Sequence, residues 1–162
     1  MLDQNKADVI LTLDSHFYDR NYIVAREKRV NMHFVSGAQN PLSHEKNVPL
    51  TKIVEYPLFL TEKNMGYRRL FEEELAKRSI EVVPALEIGR TDLIVKLLEK
   101  SNGISYLPDF VTSEKVASGK LRYLDIQDFE TEVWKQLICH RNKWMSRILK
   151  TFIEYLISKE FD

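Results

Sequence analysis

Polar and apolar positions alternate in blocks that predict strands and helices in turn along the whole chain. The nearly continuous apolar run Asp8-Val-Ile-Leu-Thr-Leu13 predicts a buried, parallel strand. Residues 22–29 mix β-branched side chains with charges and predict a more exposed strand. Residues 30–36 alternate, with Val30, Met32 and Phe34 on one side, and Gly37-Ala-Gln-Asn-Pro41 ends that strand with turn chemistry. A short helix is expected over 49–55. A second strand-and-helix unit starts at 58–60, followed by the polar loop 62–66. Over 67–78 the spacing predicts a helix with Leu70, Phe71 and Leu75 buried and Arg68, Glu72 and Lys77 facing water. Further strands are expected at 80–88, 104–107, 121–126 and 132–140. Helices are expected at 92–100, capped by Thr91 or Asp92, and near 113–118. The last helix, 144–158, places Ile148, Leu149, Phe152, Ile153 and Leu156 at helical spacing. This alternation implies the α/β class with largely parallel sheets and right-handed crossovers.

One corner stands out. The helix pattern of 93–98 runs straight into Asn102-Gly103-Ile104-Ser105-Tyr106-Leu107-Pro108, a glycine stop, a very short buried strand and a proline exit. Tight helix-to-strand corners belong to α/β folds, which bind ligands at strand ends. Composition narrows the function. With 162 residues the chain suffices for one domain or two small lobes. Lys plus Arg equals Asp plus Glu at 24 each, so the chain lacks the basic surface that grips nucleic acid unaided. A single cysteine, Cys139, forbids an internal disulfide, and no signal-like or membrane-spanning apolar run is present. A cytoplasmic location is expected.

Three places offer ligand chemistry, each with a plainer reading. Thr61, Asn64 and Gly66 belong to a loop entering a helix, whose free N–H groups and dipole favour an anion; the plainer reading is an ordinary capped loop. Gly89, Arg90 and Thr91 form a second such loop. There Gly89 admits a close ligand and Arg90 could pair with a carboxylate or phosphate, or stay a solvated charge, while Thr91 could simply cap. Thr12 and Asp14 end the first strand, where Asp14 takes an amine or hydroxyl or caps the following turn. Ser105 and Tyr106 follow the glycine corner, with Tyr106 read as core. Enzyme signals are missing. The four histidines and Cys139 lack metal-ligand spacing, Cys139 reads as a buried inert thiol, and no phosphate-binding glycine loop or nucleophile elbow occurs. Glu72-Glu73-Glu74 reads as helix surface, and Trp134 and Trp144 as core or interface residues. Neither enzymatic activity nor a cofactor is expected.

Five motifs in order resemble the effector-sensing domain of LysR-type transcriptional regulators. They are Ala7-Asp8-Val-Ile-Leu11, Asn40-Pro41-Leu42-Ser43, Val48-Pro-Leu50-Thr-Lys-Ile53, Gly103-Ile-Ser-Tyr-Leu-Pro108 and Gly119-Lys-Leu121. The resemblance implies a two-lobed fold like that of type 2 periplasmic-binding proteins, with a small-molecule effector between the lobes and a small anion as mild favourite. Lobe I is then 1–48 plus 129–162, and lobe II 54–128. In the family the Asp8 motif is preceded by a β-α-β segment of roughly 30 residues. The first lobe is therefore expected to be incomplete, with an open sheet edge suited to pairing in a homo-dimer or tetramer. DNA would be reached only through a helix-turn-helix absent from this chain. A stand-alone solute-binding protein of similar fold is the alternative.

Overall fold

The computed structural model describes Leu2 and residues 6–161, which divide into two compact units. Unit 1 comprises residues 1–30 and 132–162, and unit 2 residues 31–131. In unit 1, β1 (Val9–Asp14), β2 (Tyr22–Val30) and β8 (Val133–His140) form one sheet in the order β1-β8-β2. Both pairings are antiparallel, with Ile10 opposite Ile138 and Tyr22 opposite His140. The expectation of a parallel first strand is thus corrected. β8 arrives from the far end of the sequence and slots between β1 and β2 running against both. Helix α5 (Arg147–Glu160) starts at Ser146, whose hydroxyl accepts the Leu149 N–H, and packs Ile153 with Leu149, Leu156 and Ile157 on Leu137 of β8. At its C-terminus Lys135 Nζ donates to the Glu160 carbonyl at 3.0 Å, a cation where the helix dipole is negative.

Ile148 and Phe152 depart from the expected apolar stripe. Ile148 is 83% exposed and Phe152 about half exposed, because a helix lying on a sheet buries only the narrower face carrying Leu149, Ile153, Leu156 and Ile157. Ile148→Glu should therefore change the unfolding free energy of the chain by no more than about 0.5 kcal/mol, read by urea titration. A loss of several kcal/mol would show that residue to be packed.

Unit 2 is built on β3 (Met32–Gly37), which lies between β6 (Ile104–Pro108) and β7 (Leu121–Tyr123), antiparallel to both. A parallel bridge from Leu58 to Ile104 continues this sheet to β4 (Phe59–Leu60), which pairs in parallel with β5 (Leu86–Glu87). Parallel pairing is therefore local, where α/β crossovers occur, and not general as expected. Helices α2 (Gly66–Ala76), α3 (Thr91–Leu98) and α4 (Asp109–Ala117) and the short α1 (Leu50–Ile53) complete the unit. Residues 31–48, which the sequence reading assigned to the first lobe, fall here for identifiable reasons. β3 is the central strand, Asn40 Nδ2 donates to the Asn102 carbonyl, and a Cβ at Gly37 would sit 2.3 Å from the Leu98 carbonyl oxygen.

Side chains of β3 and β6 alternate between two cores. Phe34, Ile104 and Tyr106 face Leu42, Leu50 and Phe71, while Val35 and Leu107 face Ile94, Val95 and Leu98. Tyr106 is core, as expected, and burial pushes its hydroxyl up to about 12. Gly103 is needed at the corner because a Cβ there would meet the Phe59 ring at 2.3 Å. Two elements differ in extent from expectation. Of 80–88 only Leu86 and Glu87 pair as strand, since Pro84 brings no donor and Val83 stands 90% exposed. Helix α4 begins at Asp109, directly after Pro108, rather than at 113.

Candidate functional site

Because β4 and β5 are parallel neighbours, their C-terminal ends deliver two loops side by side within unit 2. The first, 61–65, enters α2 and the second, 88–90, enters α3. Neither helix start is capped by a side chain: Met65 and Arg90 hold the N-cap positions without a cap hydrogen bond. Thr91 is the first helical residue, so neither Thr91 nor Asp92 is the cap expected from sequence. Asp92 instead sits in the first turn and receives Arg90 through Nε at 3.1 Å and Nη2 at 2.7 Å. That exposed pairing holds the Asp92 carboxyl below the ordinary carboxylate range and raises the Arg90 guanidinium.

Arg68 overturns its expected place on the water-facing side of α2. Its side chain is 2% exposed. Nη1 donates to the Thr61 carbonyl at 2.7 Å, Nη2 to Glu72 at 2.6 Å, and Glu87 lies 3.7 Å away. A single guanidinium thus ties the end of β4, the first turns of α2 and the end of β5 together. Thr61 is buried beneath it and also holds the buried Tyr67 hydroxyl, while Asn64 is exposed and Gly66 half-buried at the helix start. Thr61, Asn64 and Gly66 are therefore brought beside Gly89, Arg90 and Thr91. Glu62, unremarked in the sequence reading, lies directly against Gly89.

In unit 1, Thr12 and Asp14 end β1 as expected. The Thr12 hydroxyl donates to the Gln136 carbonyl at 3.4 Å, and Asp14 accepts the Ser15 N–H at 2.6 Å. Fully buried Gln136 is the organiser here. Its amide oxygen accepts the Phe17 N–H, and its amide nitrogen donates to the Phe17 carbonyl and to Glu27. His16 shares Glu27 at 2.9 Å and meets the edge of Trp134. The hydrogen bond from Gln136 chiefly holds the Glu27 carboxyl below its ordinary value, with desolvation opposing it and His16 adding to it. A depressed folded value stabilises the fold above the unfolded carboxylate value, near about 4.3, and is lost as pH falls through the folded one. The stability gap between the parent chain and Glu27→Gln should accordingly shrink between about pH 7 and pH 3. A gap independent of pH would contradict the assignment.

Cys139 is buried with its thiol on the Ile23 carbonyl, and burial pushes its titration upward. That is an inert packing thiol.

The sequence matches the LysR substrate binding domain family over residues 1–160. The chain belongs to that family. Among relatives, this LysR domain is 28% identical over 151 residues to the uncharacterised HTH-type transcriptional regulator YwqM of Bacillus subtilis, covering 93% of the chain and 51% of YwqM. It is 26% identical over 126 residues to the HTH-type transcriptional activator CmpR of Synechocystis, covering 78% of the chain and 41% of CmpR. The chain thus spans about half the length of the curated relatives it matches. Among solved structures, the CcmR regulatory domain of Synechocystis in complex with 2-PG aligns at TM-score 0.76 and 22% identity, over 99% of this chain and 77% of that one. The effector binding domain of QuiR in complex with shikimate aligns at 0.73 and 18%, over 99% and 77%. These likenesses establish the fold, that of periplasmic-binding-protein-like LysR regulatory domains.

Of the residues that organise the LysR domain's two loop regions, sequence reasoning missed Glu62, Arg68, Glu87 and Gln136. Arg68 and Glu72 stand four apart on one helix, a spacing that signals an ion pair but not that the pair is inside. Gln136 stands next to Lys135 in β8, so the sequence does not distinguish the organising amide from a surface pair of polar residues.

Proposed function

We propose that this LysR domain is the effector-sensing part of a LysR-type transcriptional regulator. The observation that carries the proposal is the pair of parallel strand ends in unit 2 that set two uncapped helix starts side by side. Uncapped N–H groups present donors to a small polar ligand. Thr61, Asn64, Gly66, Gly89, Arg90 and Thr91 are the contacts from this unit, and Thr12 and Asp14 are candidate contacts of unit 1. The ligand acts by binding one arrangement of the regulator more tightly than another, and no chemistry on the ligand is required. Within the cell the regulator works in the cytoplasm as a homo-dimer or tetramer. DNA contact is of the kind the HTH-type relatives' names describe, through a helix-turn-helix.

A panel of metabolites screened by thermal melting and calorimetry tests this reading, followed by NMR of the bound compound after release. The expected result is saturable binding of a small molecule that is recovered unchanged. The same compound should alter transcription from the regulator's target promoters in cells. Conversion of the compound into a product, or binding with no transcriptional response, would overturn the proposal.

A further inference from the structure

The sheet of unit 1 has two edges, β1 on one side and β2 on the other, and they are built differently. β2 is guarded. Arg26-Glu27-Lys28-Arg29 runs along it, and its register shifts between Val24 and Arg26, so charge and irregular pairing both discourage a further strand. β1 has no such guard. Val9 to Leu13 carries no charge and pairs with β8 without interruption, from Val9 opposite Cys139 to Asp14 opposite Trp134. Among the described residues no strand pairs with the other side of β1. Leu11 lies directly opposite Leu137, so it projects on the face where Leu137 packs with Ile153 of α5. Yet Leu11 is 41% exposed. The apolar face therefore runs out past its own helix to an uninterrupted edge. Of the charges near the strand ends, Asp8 is met by Lys143 of its own chain, and Lys6 and Asp14 are the others.

We propose that β1 pairs antiparallel with β1 of a second copy of this chain, centred on Ile10, and that this joint makes the homo-dimer. The inference rests on the homo-dimer of the reading given above and deepens it by naming its surface. An antiparallel edge is self-complementary, so a two-fold axis at Ile10 sets the strand against itself and closes the assembly at two. The sheet becomes six strands in the order β2-β8-β1-β1-β8-β2, with only the charged β2 strands at its edges. Ile10 then faces Ile10, and Val9 stands opposite Leu11 of the second copy, which keeps both Leu11 side chains on the α5 face and covers them there. The same register sets Lys6 against Asp14 of the second copy, twice over. Centring on Leu11 instead would set Asp8 against Asp14, like charge on like. These matching charges favour a second copy over an unrelated strand, which the backbone groups alone would accept as well.

Sedimentation velocity of the full 162-residue chain over a micromolar dilution series tests this. A monomer–dimer equilibrium is expected, with no larger species. Leu11→Lys gives β1 the guard that β2 already has and should weaken the dimer by roughly tenfold or more. Circular dichroism checks that this variant is folded. Val83→Lys, at the most exposed large apolar residue of unit 2, should leave the dimer intact. A charge exchange reads the register and does not depend on Leu11. Lys6→Glu and Asp14→Lys should each weaken the dimer severalfold, and the two together should restore it. A monomer at every concentration, growth beyond the dimer, loss of the dimer in Val83→Lys, a dimer indifferent to a folded Leu11→Lys, or no recovery in the double exchange would overturn the inference. The effector-sensing reading fails separately, if no compound of the metabolite panel binds unchanged and alters transcription.

Discussion

Phe71→Ala is expected to lower the unfolding free energy by about 3–5 kcal/mol, the largest loss of any single substitution considered. The ring is fully buried and lies among three other aromatic rings, those of Phe34 at 5.9 Å, Tyr106 at 5.3 Å and Phe129 at 5.6 Å. Each of these comes from a different stretch of unit 2, on β3, β6 and the segment before the chain leaves the unit. Truncation removes the apolar area and also leaves a void that a sheet and a helix cannot close by small shifts, because both are held by their own backbone hydrogen bonds. Urea unfolding followed by circular dichroism measures the effect. A loss below about 1 kcal/mol would mean that the cluster is not the close-packed centre of the unit.

Arg68→Ala is expected to cost about 2–3 kcal/mol. Removing one member of a wholly buried ion pair typically costs more. Here Glu72 and Glu87 are more than a third exposed, so water recovers part of their solvation. What water does not reach as well is the Thr61 carbonyl, which loses a 2.7 Å donor in the interior. Arg68→Lys retains the charge but lacks the fork that serves three acceptors at once, and should recover less than half of the loss. The check is again urea unfolding of the three chains. Equal stability of Arg68→Ala and the parent would show that the guanidinium does not join the two strand ends.

Much of the fold was legible from the sequence because hydrophobic periodicity follows local geometry. The short buried strand after Gly103, the stripe of Phe71 and Leu75, and the core position of Tyr106 all follow from spacing alone. Strand direction is not local. Antiparallel insertion of β8 between β1 and β2 depends on residues more than a hundred positions apart, and nothing in the pattern of Val9 to Leu13 distinguishes a parallel from an antiparallel neighbour. The assignment of residues 31–48 failed for the same reason, since the contacts that claim β3 come from β6 and β7. The loops around Gly66 and Gly89 do precede helices, as their glycines signal. Their electrostatics were not legible, because the state of a charge depends on its partner. Arg90 reads as available until Asp92 is seen to hold it, and Arg68 reads as solvated until Thr61, Glu72 and Glu87 are seen around it.

The chain holds two tryptophans, Trp134 and Trp144, and both belong to unit 1. Trp144 is 82% exposed, so its emission is that of an indole in water. Trp134 donates to Glu132 and packs edge-on with the His16 ring, the centroids 4.8 Å apart, so its emission reports on that local packing. Unit 2 contributes only tyrosine light. When excitation is set beyond tyrosine absorption, the loops around Gly89 are optically dark and everything recorded originates in the other unit. A compound that fills those loops and changes the emission spectrum has then been detected through tryptophans of unit 1, and intrinsic fluorescence reports on that unit rather than on the loops themselves.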